Sequence, residues 1–377
     1  MKDSLPPLPR ARMARLERCD RDGWEFAKGG TDQLAGPACV RTDAPAHASR
    51  RIALALEVWL GLCIVSFGVL LLLDETLDGN EVWGPSTHHG TGEINSGTHH
   101  WCERVFPSRF ARSPANTYSS LTFVFAGWAV LCIAFLYVPR EVDNHHRRFQ
   151  GFNVLQVLAL LFGGVAALLT HAWAEADNWT LTLDYASIWP MVTLPLALTA
   201  LRLVPLSWRV LKEPWGYWLL FGGYVLLLVG LVLPVLLGQR EQWVTDFMYY
   251  AVPGSTALIP VLLIARLILE ACLPKLYPFS TASVGLLVLS ITFAVLGFAL
   301  QHPDRLGVCR PDSSWFLNTH LWWHVLQSIS LFLVWYWAYF EDVADQAYLE
   351  ELAKRREERG VRLKLLPDVN PRVFLSL

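Results

Sequence analysis

The stretch "NTHLWWHVLQSISLFLVWYW", residues 318–337, places two histidines at the beginning of an apolar run that is long enough to cross a bilayer. A helix of about 20 mainly apolar residues spans a hydrocarbon core of roughly 30 Å. Further windows of this kind occur along the chain, and few of them carry a charge near their centre. The predicted spans are 52–73, 118–138, 152–173, 183–204, 215–237, 248–269, 280–301 and 317–339.

Composition excludes an ordinary soluble domain. The chain has 377 residues, of which 53% are hydrophobic, and it contains 17 tryptophans. The apolar residues form long unbroken runs rather than strict alternation, which favours helices over a β-barrel. Glycine-rich nucleotide-binding motifs and a GxSxG nucleophile are missing from the sequence. We therefore predict an all-α polytopic membrane protein without nucleotide or serine-hydrolase chemistry.

Basic residues indicate how the spans are oriented. The leader, residues 1–51, carries ten Lys and Arg residues, and the tail, residues 341–377, is basic between 354 and 364. The positive-inside rule places both ends in the cytosol, and leaves 74–117 as a non-cytosolic loop. Span 52–73 then reads as an uncleaved signal anchor. The leader that precedes it is predicted to be disordered, because it is too polar to form a core. Arginines that depart from the charge rule are Arg104, Arg109, Arg112, Arg240, Arg305 and Arg310.

Four ionisable residues lie at span ends on the predicted non-cytosolic face: His171, Asp184, His320 and His324. Histidines four residues apart project from one helical face, so they can share a metal with a third ligand from a neighbouring helix. Three imidazoles and a water form an open catalytic zinc site, and a nearby carboxylate can accept the proton of that water. The alternatives are histidines in an aromatic interfacial belt and an aspartate that only caps a helix.

Other cysteines and histidines give weaker signals. Cys102 and Cys309 both fall on the predicted non-cytosolic side, where they form either a disulfide or two unpaired thiols. The remaining paired histidines are predicted to be solvated loop residues: His88, His89, His99, His100, His145 and His146.

The order of these elements is similar to that of a known family. A Trp-Cys-Glu element at 101–103 precedes an Asn-Thr-x-Ser-x-Leu helix start at 116–121, and His171, Asp184 and the HxxWH of residues 320–324 follow. In this order the chain resembles the alkaline ceramidases, seven-helix zinc-dependent membrane hydrolases in a superfamily with adiponectin receptors and GPI-anchor-remodelling proteins. The resemblance covers residues 98 to 340.

This resemblance implies a seven-helix ceramidase-like domain at 118–340, preceded by one extra transmembrane helix at 52–73. It also implies cleavage of the amide bond of a membrane lipid, most simply ceramide to a sphingoid base and a fatty acid. His171, His320 and His324 would then bind zinc, and Asp184 would be the catalytic carboxylate. The expected location is the endoplasmic reticulum or the Golgi membrane.

Three departures from the family pattern bear on activity. Ala167 stands where the family has a serine near the metal, with Thr170 close by. The interval from His171 to Asp184 is about two residues longer than usual, which makes Asp177 a rival carboxylate. The alternative function is therefore a zinc-containing receptor or scaffold with little or no hydrolase activity.

The third departure concerns calcium, which the animal ceramidases bind around the Trp-Cys-Glu element. Here His100, Val105 and Ser113 stand in place of acidic and amide ligands, while Trp101 and Glu103 remain. Calcium prefers six to eight oxygen ligands. We therefore expect calcium binding to be weakened or lost and Glu103 to organise the loop instead.

Overall fold

The computed structural model describes residues 24–26, 39–41, 44–84, 105–137, 143–174, 179–203, 258–269, 271–272, 281–305 and 318–358, with isolated positions between 222 and 254. Almost all of these residues are helical. The helices are α1 Ala44–Thr76, α2 Gly79–Trp83, α3 Pro114–Cys132 with a π-helical continuation Ile133–Tyr137, α4 Asp143–Trp173, α5 Trp179–Leu203, α6 Leu258–Leu269, α7 Thr281–Arg305 and α8 Thr319–Glu358.

The chain divides into two compact units, Met1–Glu57 and Val58–Leu377. Within the first unit, two three-residue strands, Trp24–Phe26 and Cys39–Arg41, pair antiparallel with Trp24 opposite Arg41. The rest of the predicted polar leader before α1 lies outside the described residues. The second unit contains the helical bundle.

Four of the described helices are long and apolar enough to cross a membrane, which indicates a membrane protein. The shorter apolar stretch Ala186–Ala200, which is part of α5, and helix α6, Leu258–Leu269, coincide with further predicted spans. The predicted span 215–237 lies largely outside the described residues, although seven of its positions between 222 and 233 are helical. The four long apolar segments are Arg50–Thr76, Pro114–Leu136, Gly151–Trp173 and Val284–Gln301.

The last predicted span, 317–339, is the first half of α8, whose hydropathy is lowered by polar side chains that face the protein interior. His324, Gln327, Ser328 and Ser330 are all buried. Polar residues within a membrane are tolerated where they face a bundle rather than lipid. Helix α8 is not among the four described helices that are apolar enough to cross a membrane, so its assignment as a span stays a prediction.

Several helices extend beyond the boundaries that hydropathy predicts. Helix α8 continues to Glu358, so residues 341–358 of the predicted tail are helical. The sequence of this extension is rich in Ala, Glu, Leu, Lys and Arg, which are strong helix formers. Helix α4 begins at Asp143, so the loop predicted for His145 and His146 is wrong. Hydropathy locates the apolar part of a helix, whereas the helix itself ends where its backbone hydrogen bonds end.

Helix contacts are close where glycines remove side chains from the interface. Helix α4 packs against α3 and α5, and α8 packs against α3, α5 and α7. A Cβ at Gly127 of α3 would lie 2.9 Å from a methyl carbon of Leu161 on α4. Small residues allow this approach of two backbones in membrane proteins.

The bundle interior combines apolar side chains with a few paired polar ones. Its buried apolar cluster includes Leu160, Leu194, Leu287 and Trp337. Ser290 and Ser330 each donate a hydrogen bond to the other's carbonyl, at 3.1 and 3.0 Å. Side-chain hydrogen bonds of this kind join neighbouring helices in an apolar environment.

A glycine at the α3–α4 contact gives a prediction on stability. A Cβ at Gly164 would lie 2.6 Å from Val124 Cγ2 and 2.9 Å from the Val124 backbone nitrogen. We expect Gly164→Ala to lower the free energy of unfolding by about 1–3 kcal/mol through overpacking. Gly61→Ala on α1 is the matched control, because a Cβ there meets no atom within 4 Å. Unfolding in detergent measures both variants, and equal stabilities would contradict the tight contact.

Candidate metal centre

The candidate site is formed by residues near the C-terminal end of α4 and near the N-terminal ends of α3, α5 and α8. Helix α4 carries His171 two residues before its end, and α8 carries His320 and His324 in its first two turns. Helix α5 carries Asp184 in its second turn, and α3 carries Ser119 in its second turn. His171 lies near the end of the apolar segment Gly151–Trp173, so the site is at one end of that segment.

The three histidines lie side by side. Their ring centroids are 5.2 Å apart for His171 and His320, 5.1 Å for His171 and His324, and 4.6 Å for His320 and His324. One potential ligand atom from each residue lies within 4.8 Å of the other two, and all three residues are buried. The three imidazoles can therefore hold one metal ion, and such a donor set suits zinc, copper, iron and nickel.

Helix α3 fixes the orientation of His324. Ser119 Oγ lies 2.8 Å from His324 Nδ1, and Ser120 Oγ lies 3.5 Å from the same nitrogen. Thr122 Oγ1 donates to the His324 carbonyl oxygen at 3.3 Å. The ring of Phe123 contacts the imidazole edge-on, with centroids 5.6 Å apart. The side chains of one helix thus hold a histidine of another.

His320 is positioned by the start of its own helix. Asn318 Oδ1 accepts hydrogen bonds from the backbone nitrogens of His320 and Leu321, at 2.9 and 3.1 Å. This is a side-chain cap of the helix N-terminus. Trp323 contacts both α8 histidines, with ring centroids 5.3 Å from His320 and 5.0 Å from His324. The cap and the indole together fix the first turn of α8.

The end of α4 is held by the segment that precedes α3. The backbone nitrogens of Arg112 and Ser113 donate to the carbonyl oxygens of Ala172 and His171, at 3.0 and 3.2 Å. The Arg112 guanidinium donates to the Trp173 carbonyl at 3.3 Å. Carbonyl groups in the last turn of a helix need such donors, and a cation there is favoured by the helix dipole. The turn that carries His171 is therefore fixed by hydrogen bonds.

Immediately after this turn, the backbone leaves the helix in a left-handed conformation. Ala174 has a φ of 55°, and its backbone nitrogen donates to the Thr170 carbonyl at 2.9 Å. This position usually favours glycine, since a side chain there costs roughly 1–2 kcal/mol. The strained residue lies three positions after His171, where the surrounding hydrogen bonds hold it.

Helix α1 is joined to the same region through a buried aspartate. Asp74 accepts hydrogen bonds from the Ala111 backbone nitrogen at 2.9 Å and from the Tyr118 hydroxyl at 3.1 Å. It also forms a salt bridge with Arg109. The Arg112 guanidinium donates to the Gly79 carbonyl, at 3.2 Å. The extra N-terminal helix is thus connected to the segment that holds the end of α4.

Asp184 is buried on a helix that packs against both histidine-bearing helices, α4 and α8. Helix α5 begins at Trp179, so Asp184 lies within the helix and does not cap its N-terminus. Its Oδ1 atom is buried and receives no hydrogen bond from any residue that the structure describes. Among the described residues, the group whose ligand atoms could hold a metal ion consists of the three histidines and does not include this carboxylate. A buried acceptor that no described residue satisfies can accept a hydrogen bond from a water or a substrate group.

Some predicted site residues lie outside the described part of the chain: Trp101, Cys102, Glu103, Asp177 and Cys309. Of the positions compared with the calcium pattern, Val105 and Ser113 are described and buried. Ala167 is buried one turn before His171. Thr170, its nearest hydroxyl neighbour along the helix, donates to the Ala166 carbonyl at 3.0 Å.

Sequence reasoning did not assign roles to Ser119, Asn318, Asp74 and Arg112. A signal for two of these was present in the charge pattern. Arg112 departs from the positive-inside rule, and Asp74 ends an apolar span. Both residues are buried and form hydrogen bonds in the segment that joins α1 to the end of α4. Comparison with protein-family models, with curated proteins and with solved structures gives no match for the chain.

Proposed function

We propose that the protein is a zinc-dependent hydrolase that cleaves the amide bond of a membrane lipid, with ceramide as the leading substrate. The observation that carries the proposal is the group of three buried imidazoles with ligand atoms within 4.8 Å of one another. This group lies in a chain of which four described helices are apolar enough to cross a membrane. Zinc is the proposed metal, because three histidines with one open position are a catalytic zinc ligand set.

The donor set and its surroundings fit a zinc ion. Neutral imidazoles are preferred zinc ligands, and burial limits their contact with bulk water. When bound by such a set, zinc activates water as a nucleophile near neutral pH and polarises a carbonyl oxygen. His171, His320 and His324 would hold the ion, and the hydrogen bond of His324 to Ser119 orients that imidazole.

Asp184 is proposed as the group that moves protons. Its buried Oδ1 would accept a proton from the attacking water and pass it to the nitrogen of the leaving amine. In the overall reaction, water adds its oxygen to the acyl carbon and the carbon–nitrogen bond breaks. The products are a fatty acid and a free amine. The structural support is the burial of Asp184 on a helix that packs against α4 and α8.

A lipid substrate is favoured by where the site lies. His171 is at the end of an apolar segment, so a lipid in the bilayer could present a linkage near its headgroup at this depth. The amide of ceramide is such a linkage, and the resemblance to alkaline ceramidases points to the same substrate class. We further propose that the site faces the non-cytosolic side of an endoplasmic reticulum or Golgi membrane, with both termini in the cytosol.

Lipid turnover tests the proposal directly. Purified protein in detergent or liposomes is expected to contain zinc and to release fatty acid from a linear-amide lipid such as ceramide. A chelator should abolish the release, and added zinc should restore it. A matched ester lipid identifies whether the amide itself is required. Absence of zinc from the protein, or zinc without hydrolysis of any acyl lipid, would contradict the hydrolase.

One observation supports a second function, a zinc-containing receptor or scaffold with little or no hydrolase activity. Ala167 provides no hydroxyl one turn before His171, where the resembled family has a serine. A hydroxyl near the metal can stabilise charge that develops on the substrate oxygen. Ala167→Ser discriminates between the two functions. Lipid hydrolysis by this variant, but not by the wild-type protein, would support the receptor or scaffold.

A further inference from the structure

The hydrogen bonds around Ser119 indicate whether Ser119 or His324 is the donor in the contact between these two residues. Ser119 Oγ lies 3.0 Å from the Asn116 carbonyl oxygen and 2.8 Å from His324 Nδ1. A carbonyl oxygen can only accept, so the single hydroxyl proton of Ser119 is donated to Asn116. With that proton given to Asn116, the shorter contact between Ser119 and His324 is a hydrogen bond only when Nδ1 of the imidazole carries a proton.

This arrangement selects one tautomer of His324. With a proton on Nδ1, the neutral ring has its lone pair on Nε2, which is the atom then available to a metal. A histidine that binds a metal commonly donates its other ring N–H to an oxygen acceptor, which fixes the ring orientation. Ser119 has the chemistry and the distance for that acceptor, although it is separated from His324 by 205 residues in the chain.

We propose that Ser119 is a positioning residue for the metal centre, which holds His324 as the tautomer that presents Nε2 to zinc. This inference rests on the proposed function, since it concerns the same three-histidine site. Ser119 acts through His324 and not on the substrate. In this arrangement the imidazole donates to the Ser119 hydroxyl group, and that hydroxyl group donates to the Asn116 carbonyl on the first turn of α3.

The adjacent serine provides a matched control. Ser120 Oγ also donates to the Asn116 carbonyl, at 2.8 Å, but lies 3.5 Å from His324 Nδ1. A bond of 2.8 Å is within the normal range, whereas 3.5 Å is too long for a strong one. Removal of the Ser120 hydroxyl should therefore leave the tautomer of His324 unchanged.

The experiment measures metal affinity rather than turnover. Zinc binding to the full-length protein is determined by competition with a chromophoric chelator, and the absorption spectrum of the cobalt-substituted protein reports the ligand geometry. We expect Ser119→Ala to weaken zinc binding by about 10- to 100-fold and to alter the cobalt spectrum. Ser120→Ala should retain the affinity and the spectrum of the wild type.

A second pair of variants separates the hydroxyl group from the shape of the side chain. Ser119→Thr and Ser119→Val have nearly the same volume, but only threonine keeps a hydroxyl that can bond a preceding carbonyl in a helix. Threonine should bind zinc more tightly than valine. Equal affinities within this pair, or equal affinities of Ser119→Ala and Ser120→Ala, would overturn the positioning role. Wild-type protein that binds zinc but hydrolyses no lipid would overturn the proposed function and leave this inference intact.

Discussion

His320→Ala is expected to remove tightly bound zinc from the protein. Zinc sites in small peptides are worth roughly 10–16 kcal/mol, which is about 2.5–4 kcal/mol for each of four ligands. Loss of one imidazole should then weaken zinc binding by roughly 70- to 900-fold. Lipid amide hydrolysis should fall with the bound metal, because the proposed chemistry requires it. Zinc content and chelator competition measure the effect on the purified protein.

The matched control is His145→Ala on α4. His145 lies 26 residues before His171, which is about 39 Å along the helix axis, so it cannot belong to the same site. This variant should retain zinc and activity. The thermal stability of the metal-free His320→Ala protein should be close to that of metal-free wild type, which would exclude unfolding as the cause. Full zinc content in His320→Ala would refute the three-histidine centre.

Asp184→Asn is expected to abolish turnover while the metal remains bound. Asparagine keeps the size of the side chain but cannot accept a proton, and a positioned acid or base contributes about 10²- to 10⁴-fold to rate. The three histidines are the potential ligands without Asp184, so zinc content should not change. Single-turnover hydrolysis of a ceramide substrate and metal analysis of the same preparation check both parts.

Asp177→Asn tests the rival carboxylate in the sequence between α4 and α5. Slow turnover in Asp184→Asn with normal turnover in Asp177→Asn would support Asp184 as the proton acceptor. The reverse result would assign the role to Asp177. Loss of zinc in Asp184→Asn would show that the carboxylate is a ligand, and normal turnover would exclude it from the chemistry.

Much of the helical architecture was accessible from the sequence, because a membrane span is a local property. Each of the segments 52–73, 118–138, 152–173 and 280–301 coincides with a helix that is long and apolar enough to cross a membrane. Hydropathy was less informative for α8, since its buried histidine, glutamine and serine residues face the bundle. Helix ends were also displaced, as at Asp143 and Glu358, because amphipathic and charged turns extend beyond the apolar core.

The sequence by itself determined that His320 and His324 share one helical face, since a separation of four residues fixes that geometry within any α-helix. It also predicted that His171 and Asp184 lie at span ends near a common face. Only the tertiary structure brought the three imidazoles within 4.8 Å and placed Asp184 inside α5 rather than at its cap. It alone paired Ser119 with His324 across 205 residues, because contacts between helices depend on their relative position, which no local pattern of residues specifies.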